Sequence, residues 1–252
     1  MSFYQTAFYH KYVSCFATAI KTISRNIKNK KFEPEVAVLD RFLSEGMTVI
    51  DVGGAYGRYA LPMARLIGSE GHVHSFEPGA YSFRVLSIVK AFHRLSNVTI
   101  NNKALADKPG KLHLNAPFKR NGRVGPSLAY VSEKKEKDAY SEEVDVVTIG
   151  DYCKEQDITK VDFIKADVEG AEYGVFKGAE DIIKRDKPVV LSEVENDNLK
   201  RFNLTADDIQ NFFKQYGYKT YYLDGKNLIE CEKIEEPLNY FFIPEGKEFQ
   251  KN

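Results

Sequence analysis

IKADVEGAEYGVFKGAE, from Ile164 to Glu180, sends an apolar strand straight into Asp167, Glu169 and Glu172, with Gly170 among them. Carboxylates at the mouth of a buried strand are costly unless something pairs with them or uses them. A helix from about Tyr173 to Lys184 follows, and KPVVLSEVE then reads as another strand. Strand, acidic turn, helix and strand form the repeating unit of a parallel α/β sheet, whose ligands sit outside the carboxyl ends of its strands.

Upstream the same rhythm recurs. MTVIDVG is a short apolar run, a helix spans about Arg58 to Ile67, and HVHSFEP is a second strand closed by Glu77 and broken by Pro78. A helix from about Tyr81 to Leu95 leads to a third strand, VTINNKAL. Downstream, YKTYYLD, NLIECE and NYFFIPE read as late strands with an antiparallel, hairpin-like finish. Between these halves, residues 108–148 form an insertion, in which KLHLN and VDVVTIG pair around a loop and SEKKEKD makes a solvated tip. Lys119, Arg120 and Arg123 stand among Gly122, Gly125 and Pro126 in that loop, which suits a cationic lid over a polar substrate. The expected organisation is an N-terminal helical segment, 1–46, and an α/β domain, 47–252.

The N-terminal segment repeats apolar residues at helical spacing from Phe3 to about Phe32: Phe8, Tyr12, Phe16, Ile20, Ile23 and Ile27. It carries Lys11, Lys21, Arg25, Lys28, Lys30 and Lys31, and no acidic residue before Glu33. Such a helix either packs on the domain with its polar face in water or lies on an anionic membrane. Pro34 opens a short helix through Leu43, stopped at Gly46. The whole chain balances 36 basic against 36 acidic residues, which argues against a nucleic-acid-coating protein. Cys15, Cys153 and Cys231 are scattered without a CxxC pair, so a cytoplasmic setting is expected; packing of the basic helix on the domain is the favoured reading, and peripheral contact at the inner membrane surface is its alternative. No signal peptide is read at the N-terminus and no stretch is long and apolar enough to span a bilayer. Self-association into a homo-oligomer is left open by the sequence.

VIDVGGAYGRYA places Asp51 at a strand end, then Gly53, Gly54 and Gly57 before a helix. Glycines there allow close approach of backbone N–H groups to a ligand. The spacing is GGxxG rather than the dinucleotide GxGxxG, and an acid beside it suits a ligand ammonium better than a pyrophosphate. Glu77, closing the second strand, is placed to accept two ribose hydroxyls. An amino acid joined to a nucleoside is S-adenosylmethionine. Its contacts are expected from Asp51, Gly53, Gly54, Ala55, Tyr56, Gly57, Glu77, Pro78, Asn102, Ala104 and Asp167, with the adenine against the residues after the third strand.

VIDVGGAYGRYA, HSFEP, NKALAD, IKADVEGAE and KGAEDII together resemble the FkbM family of methyltransferases, from about Thr48 to Glu195. Ala55, Tyr56 and Arg58 occupy the glycine turn, and Arg58 departs from the family's usual pattern. The resemblance implies a Rossmann-like class I fold, a mostly parallel seven-stranded sheet with an antiparallel C-terminal strand and helices on both faces. It also implies O-methylation, often of sugar hydroxyls in polysaccharides, lipopolysaccharides or natural products, so a sugar or glycoconjugate is the expected partner and nucleic acid is not.

A sugar hydroxyl is a poor nucleophile, so a carboxylate or histidine should take its proton. Asp167 is the first candidate, with Glu193 and His113 as further ones. Glu169, Glu172 and Glu195 are candidates for substrate hydroxyls, although Glu169 and Glu172 also suit a helix N-terminus. Mg²⁺ held by Asp167 with Glu193 or Glu195 is a sharper alternative. The competing enzyme reading is an NAD-dependent Rossmann oxidoreductase, against which the missing GxGxxG stands. A methyltransferase acting on a non-sugar small molecule is a narrower variant of the main reading.

Overall fold

A computed structural model describes residues 14–27, 33–118, 124–235 and 238–248 of the chain. Lys119, Arg120 and Arg123 lie outside the described residues, as do Phe8, Tyr12 and the basic residues Lys28, Lys30 and Lys31 of the N-terminal segment. Helix α1 (Cys15–Ile27) is followed by a 3₁₀ turn at Pro34–Arg41, then by β1 (Thr48–Val52), α2 (Ala60–Leu66), β2 (His72–Phe76), α3 (Ala80–His93) and β3 (Val98–Asn101). Next come the short β4 (Ala104–Leu105) and the insertion strands β5 (Gly110–Pro117), β6 (Tyr130–Ser132) and β7 (Ala139–Val147). The second half holds α4 (Ile149–Glu155), β8 (Phe163–Ala166), α5 (Glu172–Lys177), α6 (Glu180–Asp186), β9 (Val189–Val194), α7 (Asn196–Leu199) and α8 (Ala206–Lys214). It closes with β10 (Tyr218–Asp224), β11 (Asn227–Glu230) and β12 (Leu238–Pro244).

The main sheet has the order β11-β10-β12-β9-β8-β1-β2-β3. Pairings from β9 through β3 are all parallel. β12 inserts antiparallel between β9 and β10, as the expected antiparallel C-terminal strand. The sheet has eight strands rather than seven, because β11 folds back on β10 as an edge hairpin. Gly225, at φ +60°, supplies the left-handed residue that this tight turn needs. The chain runs outward from β1 to β3 on one side and then crosses to β8 and β9 on the other. The switch point therefore falls between β1 and β8, where a parallel sheet opens its ligand crevice.

Alternation along the strands sorts the core into two layers. Ile50, Val52, Ile164, Ala166 and Val190 pack under α4, α5, α6 and α8, with Phe176 and Phe213 completely buried. Val49, Val73, Phe163, Leu191 and Phe241 pack on the other face, under α2 and the Pro34–Arg41 turn. Burying each of these large side chains stabilises the fold by about 2 kcal/mol. Polar residues interrupt the second layer only near the carboxyl ends, where Asp51, Ser75 and Lys165 continue the positions of Val49, Val73 and Phe163.

Two expected elements divide. The helix from Tyr173 to Lys184 is split into α5 and α6 at Gly178, where a Cβ would lie 2.1 Å from the carbonyl oxygen of Ala106. The third strand divides as well, since β4 leaves the main sheet and pairs parallel with β7. The insertion is a second sheet, ordered β4-β7-β5-β6, in which KLHLN and VDVV do pair antiparallel within β5 and β7. Residues 133–138 form its exposed tip.

Candidate functional site

A crevice opens over the ends of β1, β2 and β8 and is roofed by the second sheet. Asp51, Gly53, Tyr56, Glu77, Ala104 and Asp167 are in its lining, with Leu105, Leu114 and Val131 as an apolar wall. Pro78, Gly54 and Ala55 complete the near side.

The turn after β1 is tighter than the sequence suggested. Gly53 sits at φ +82°, and a Cβ there would lie 2.0 Å from the carbonyl oxygen of Asp167. Only glycine lets the β1 loop press against the exit of β8. Its N–H and that of Gly54 both donate to the carbonyl of Phe76, at 2.9 Å each. Gly57 donates to the carbonyl of Gly54, and its Cα faces Leu86 of α3 rather than the crevice. The glycines thus permit close chain packing; they do not present free N–H donors to a ligand, and Gly57 is not a lining residue.

Glu77 is the hub of this end. It is buried, its Oε2 accepts from the Ala55 N–H at 2.9 Å, and its Oε1 accepts from the Gly79 N–H at 2.8 Å. Burial pushes its carboxyl up to about 7, against the pull of those two N–H donors. Each oxygen keeps a second lone pair for a ligand hydroxyl. Asn102 is not a wall residue: its Nδ2 donates to the carbonyls of Glu77 and Pro78, holding the turn from behind. Lys103 and Leu105 line the crevice in its place. Asp51 is fully buried and accepts from the Ser75 hydroxyl at 2.7 Å; burial raises its carboxyl to about 6.

At the far end, Asp167 leaves β8 with its side chain 41% exposed to the crevice. Lys165, two residues back and fully buried, places its Nζ 3.6 Å from Asp167 Oδ2, 3.0 Å from the carbonyl of Ala166 and 3.5 Å from Asn239 Oδ1. The ammonium also sits 4.8 Å from the centre of the Tyr59 ring, whose hydroxyl donates to the buried Glu35. Glu193, opposite Asn239 in the sheet, has its carboxyl held well above the usual range by burial and by Asp167 and Glu169. Lys165 is the residue that sequence reading passed over. The available signal was a lone cation in an apolar strand, which folding tolerates only beside partners.

Glu169 lies in the crevice lining at φ +56°, and its carboxylate accepts from Asn198 Nδ2 at 3.0 Å. The same amide donates to Glu195, at the start of α7. Glu172 is not in the crevice lining. It is buried, and its Oε1 accepts from the N–H groups of Val168 and Gly170, so it braces the acidic turn from inside; burial lifts its carboxyl to about 7. His113 points away from the crevice. Leu114 faces the apolar wall, so the neighbouring His113 takes the opposite face, across from Ser132 and Glu143. The Mg²⁺ alternative gains no support: among the described residues no group of three or more acidic, His or Cys side chains is placed to hold a metal ion, and Asp167 meets an ammonium.

A mostly parallel sheet with an acid-lined crevice at the β1/β8 switch point and a buried acid closing β2 fits a class I methyltransferase. The signature of the methyltransferase FkbM domain matches residues 51–220. This chain belongs to that family. A curated relative, Methyltransferase 1 of Beauveria bassiana (strain ARSEF 2860), is 26% identical over 146 residues, covering 53% of this chain and 58% of that protein. The crystal structure of an FkbM methyltransferase from Methylobacillus flagellatus KT matches with a TM-score of 0.53 at 16% identity, over 79% of this chain and 44% of that one. At that identity the likeness speaks for the fold alone. A SAM-dependent O-methyltransferase from Thermotoga maritima matches with a TM-score of 0.47 at 12% identity, over 90% of this chain and 72% of that one. The chain spans less than two thirds of the Beauveria and Methylobacillus proteins.

Proposed function

We propose that this protein transfers a methyl group from S-adenosylmethionine to a hydroxyl of a sugar or glycoconjugate. The observation that carries the reading is the charge of the crevice: Asp51, Glu77, Asp167 and Glu169 outnumber Arg58 and Lys103 along its lining. Acidic walls favour a cofactor bearing an ammonium and a sulfonium, and oppose the pyrophosphate of NAD. The family match supports the same reaction class.

When bound, the cofactor supplies a methyl carbon activated by its sulfonium. Glu77 offers its remaining lone pairs to vicinal ribose hydroxyls, while Ala104, Leu105, Leu114 and Val131 give an aromatic base an apolar wall. Asp51 and the β1 turn form the amino-acid end. Asp167 would accept the proton of the acceptor hydroxyl as its oxygen bonds to the methyl carbon and the carbon–sulfur bond breaks, its electron pair leaving with sulfur as a neutral thioether. The Lys165 ammonium, 3.6 Å away, holds that carboxylate in place. Glu169, Asn198 and Glu195 form a polar rim suited to sugar hydroxyls.

The test is methyl incorporation by the full chain from labelled S-adenosylmethionine into sugar nucleotides and into capsule or lipopolysaccharide fragments. The expected product is a base-stable methyl ether. An Asp167→Asn variant should retain cofactor affinity and lose roughly 10²–10⁴-fold in turnover. Label found only in amines or carboxylates, or full turnover by Asp167→Asn, would overturn this reading.

A further inference from the structure

We propose that the outer face of α1 seats the protein on an anionic lipid surface. This goes beyond the methyl-transfer reading and is tested without it. The helix carries two apolar stripes, and folding uses one. Cys15, Ala19 and Ile23 face inward onto Val85 and Val89 of α3, and Thr18 Oγ1 and Tyr81 OH meet at 2.7 Å. The second stripe looks outward. Phe16 and Ile20, one turn apart, are 57% and 52% exposed, and nothing in the inner packing requires them to be apolar.

The charges beside this stripe identify its occupant. Lys21 and Arg25 are exposed on the same helix, and the sequence has no acidic residue before Glu33. A second copy of the chain docked on this face about a two-fold axis would bring Lys21 and Arg25 against themselves, with no acid on α1 to pair with them. An exposed helix face with an aromatic and an aliphatic residue flanked on one side by cations is a pattern that lies in a lipid interface, its apolar side chains among the acyl chains and its cations among anionic headgroups. The surface also adjoins the crevice. Tyr56, which lines the crevice, packs against the same cluster that holds α1, and Arg84 of α3 is within electrostatic reach of both Cys15 and the exposed Tyr140 of β7.

Co-sedimentation of the full chain tests the proposal, using vesicles of phosphatidylcholine alone or with roughly a third phosphatidylglycerol. Binding to the anionic vesicles is expected, falling as salt rises, with little binding to the neutral ones. Phe16→Ser with Ile20→Ser should lower the partition about tenfold or more, and Lys21→Gln with Arg25→Gln by a similar factor. These side chains are exposed, so circular dichroism and the thermal midpoint should match the parent. Equal binding by parent and variants, equal binding to neutral vesicles, or a lipid-free dimer abolished by the Phe16/Ile20 change would each overturn it.

Discussion

The two ends of the crevice hold their carboxylates by different means. At the β2 end Glu77 is wired to the main chain, with one N–H from the β1 turn and one from Gly79. At the β8 end Asp167 is held by a side chain, the buried Lys165, which Asn239 positions in turn, and Glu193 lies within reach of both their charges. A carboxylate fixed by backbone donors keeps its position through the geometry of two turns, which suits a grip on a ligand. A carboxylate held by a side-chain ion pair and partly open to the crevice can meet the proton of an entering hydroxyl, which suits proton transfer.

The largest expected effect comes from the point where the two ends touch. Gly53→Val would drive a Cβ into the Asp167 carbonyl and force a β-branched residue to φ +82°. A loss of about 3 kcal/mol or more is expected by urea unfolding; an unchanged midpoint would mean that the loop and β8 are not interlocked. Removing one brace at a time then sharpens the contrast. Glu172→Ala orphans the Val168 and Gly170 N–H groups and should cost about 1–3 kcal/mol while sparing cofactor affinity. Equal stability, or a matching collapse in affinity, would contradict that division of labour.

The pH dependence follows from burial at both ends. Glu77 and Glu172 are raised to about 7 and Asp51 to about 6, so between the unfolded carboxylate range and pH 7 the folded chain binds more protons than the unfolded one. Stability of the ligand-free protein from these groups is therefore fully present below about pH 4 and declines as pH rises toward 7. A thermal midpoint that climbs over this window would have the wrong sign. Lys165→Met should leave cofactor affinity near the parent value but slow methyl transfer about tenfold or more, because the ammonium 3.6 Å from Asp167 Oδ2 no longer fixes that carboxylate. An unchanged rate would remove Lys165 from the proton-handling end. The smallest effect is expected at His113, which faces away from both: His113→Ala should stay within about 0.5 kcal/mol and leave turnover intact.

Much of this arrangement was legible in the sequence because strand ends carry acids where a parallel sheet opens. Asp51, Glu77 and Asp167 stand out among apolar runs, and strand–helix alternation sets their layer. What escaped reading depends on partners distant in the chain. Nothing near Gly53 reveals that Phe76 consumes its N–H, and nothing near Asn102 reveals that it braces Glu77. Nothing near Lys165 reveals its partners, because Tyr59 and Asn239 lie far from it in sequence. The face of His113 depended on the register of β5 against β7, which short alternating strands leave undetermined until they pair.

The most direct measurement is calorimetric titration of S-adenosylmethionine and of NAD into the full chain and into Glu77→Ala. The account predicts micromolar binding of S-adenosylmethionine with proton release near pH 6.5, a loss of about tenfold or more in the variant, and no NAD binding. Binding of NAD without S-adenosylmethionine, or undiminished S-adenosylmethionine affinity in a folded Glu77→Ala protein, would contradict it.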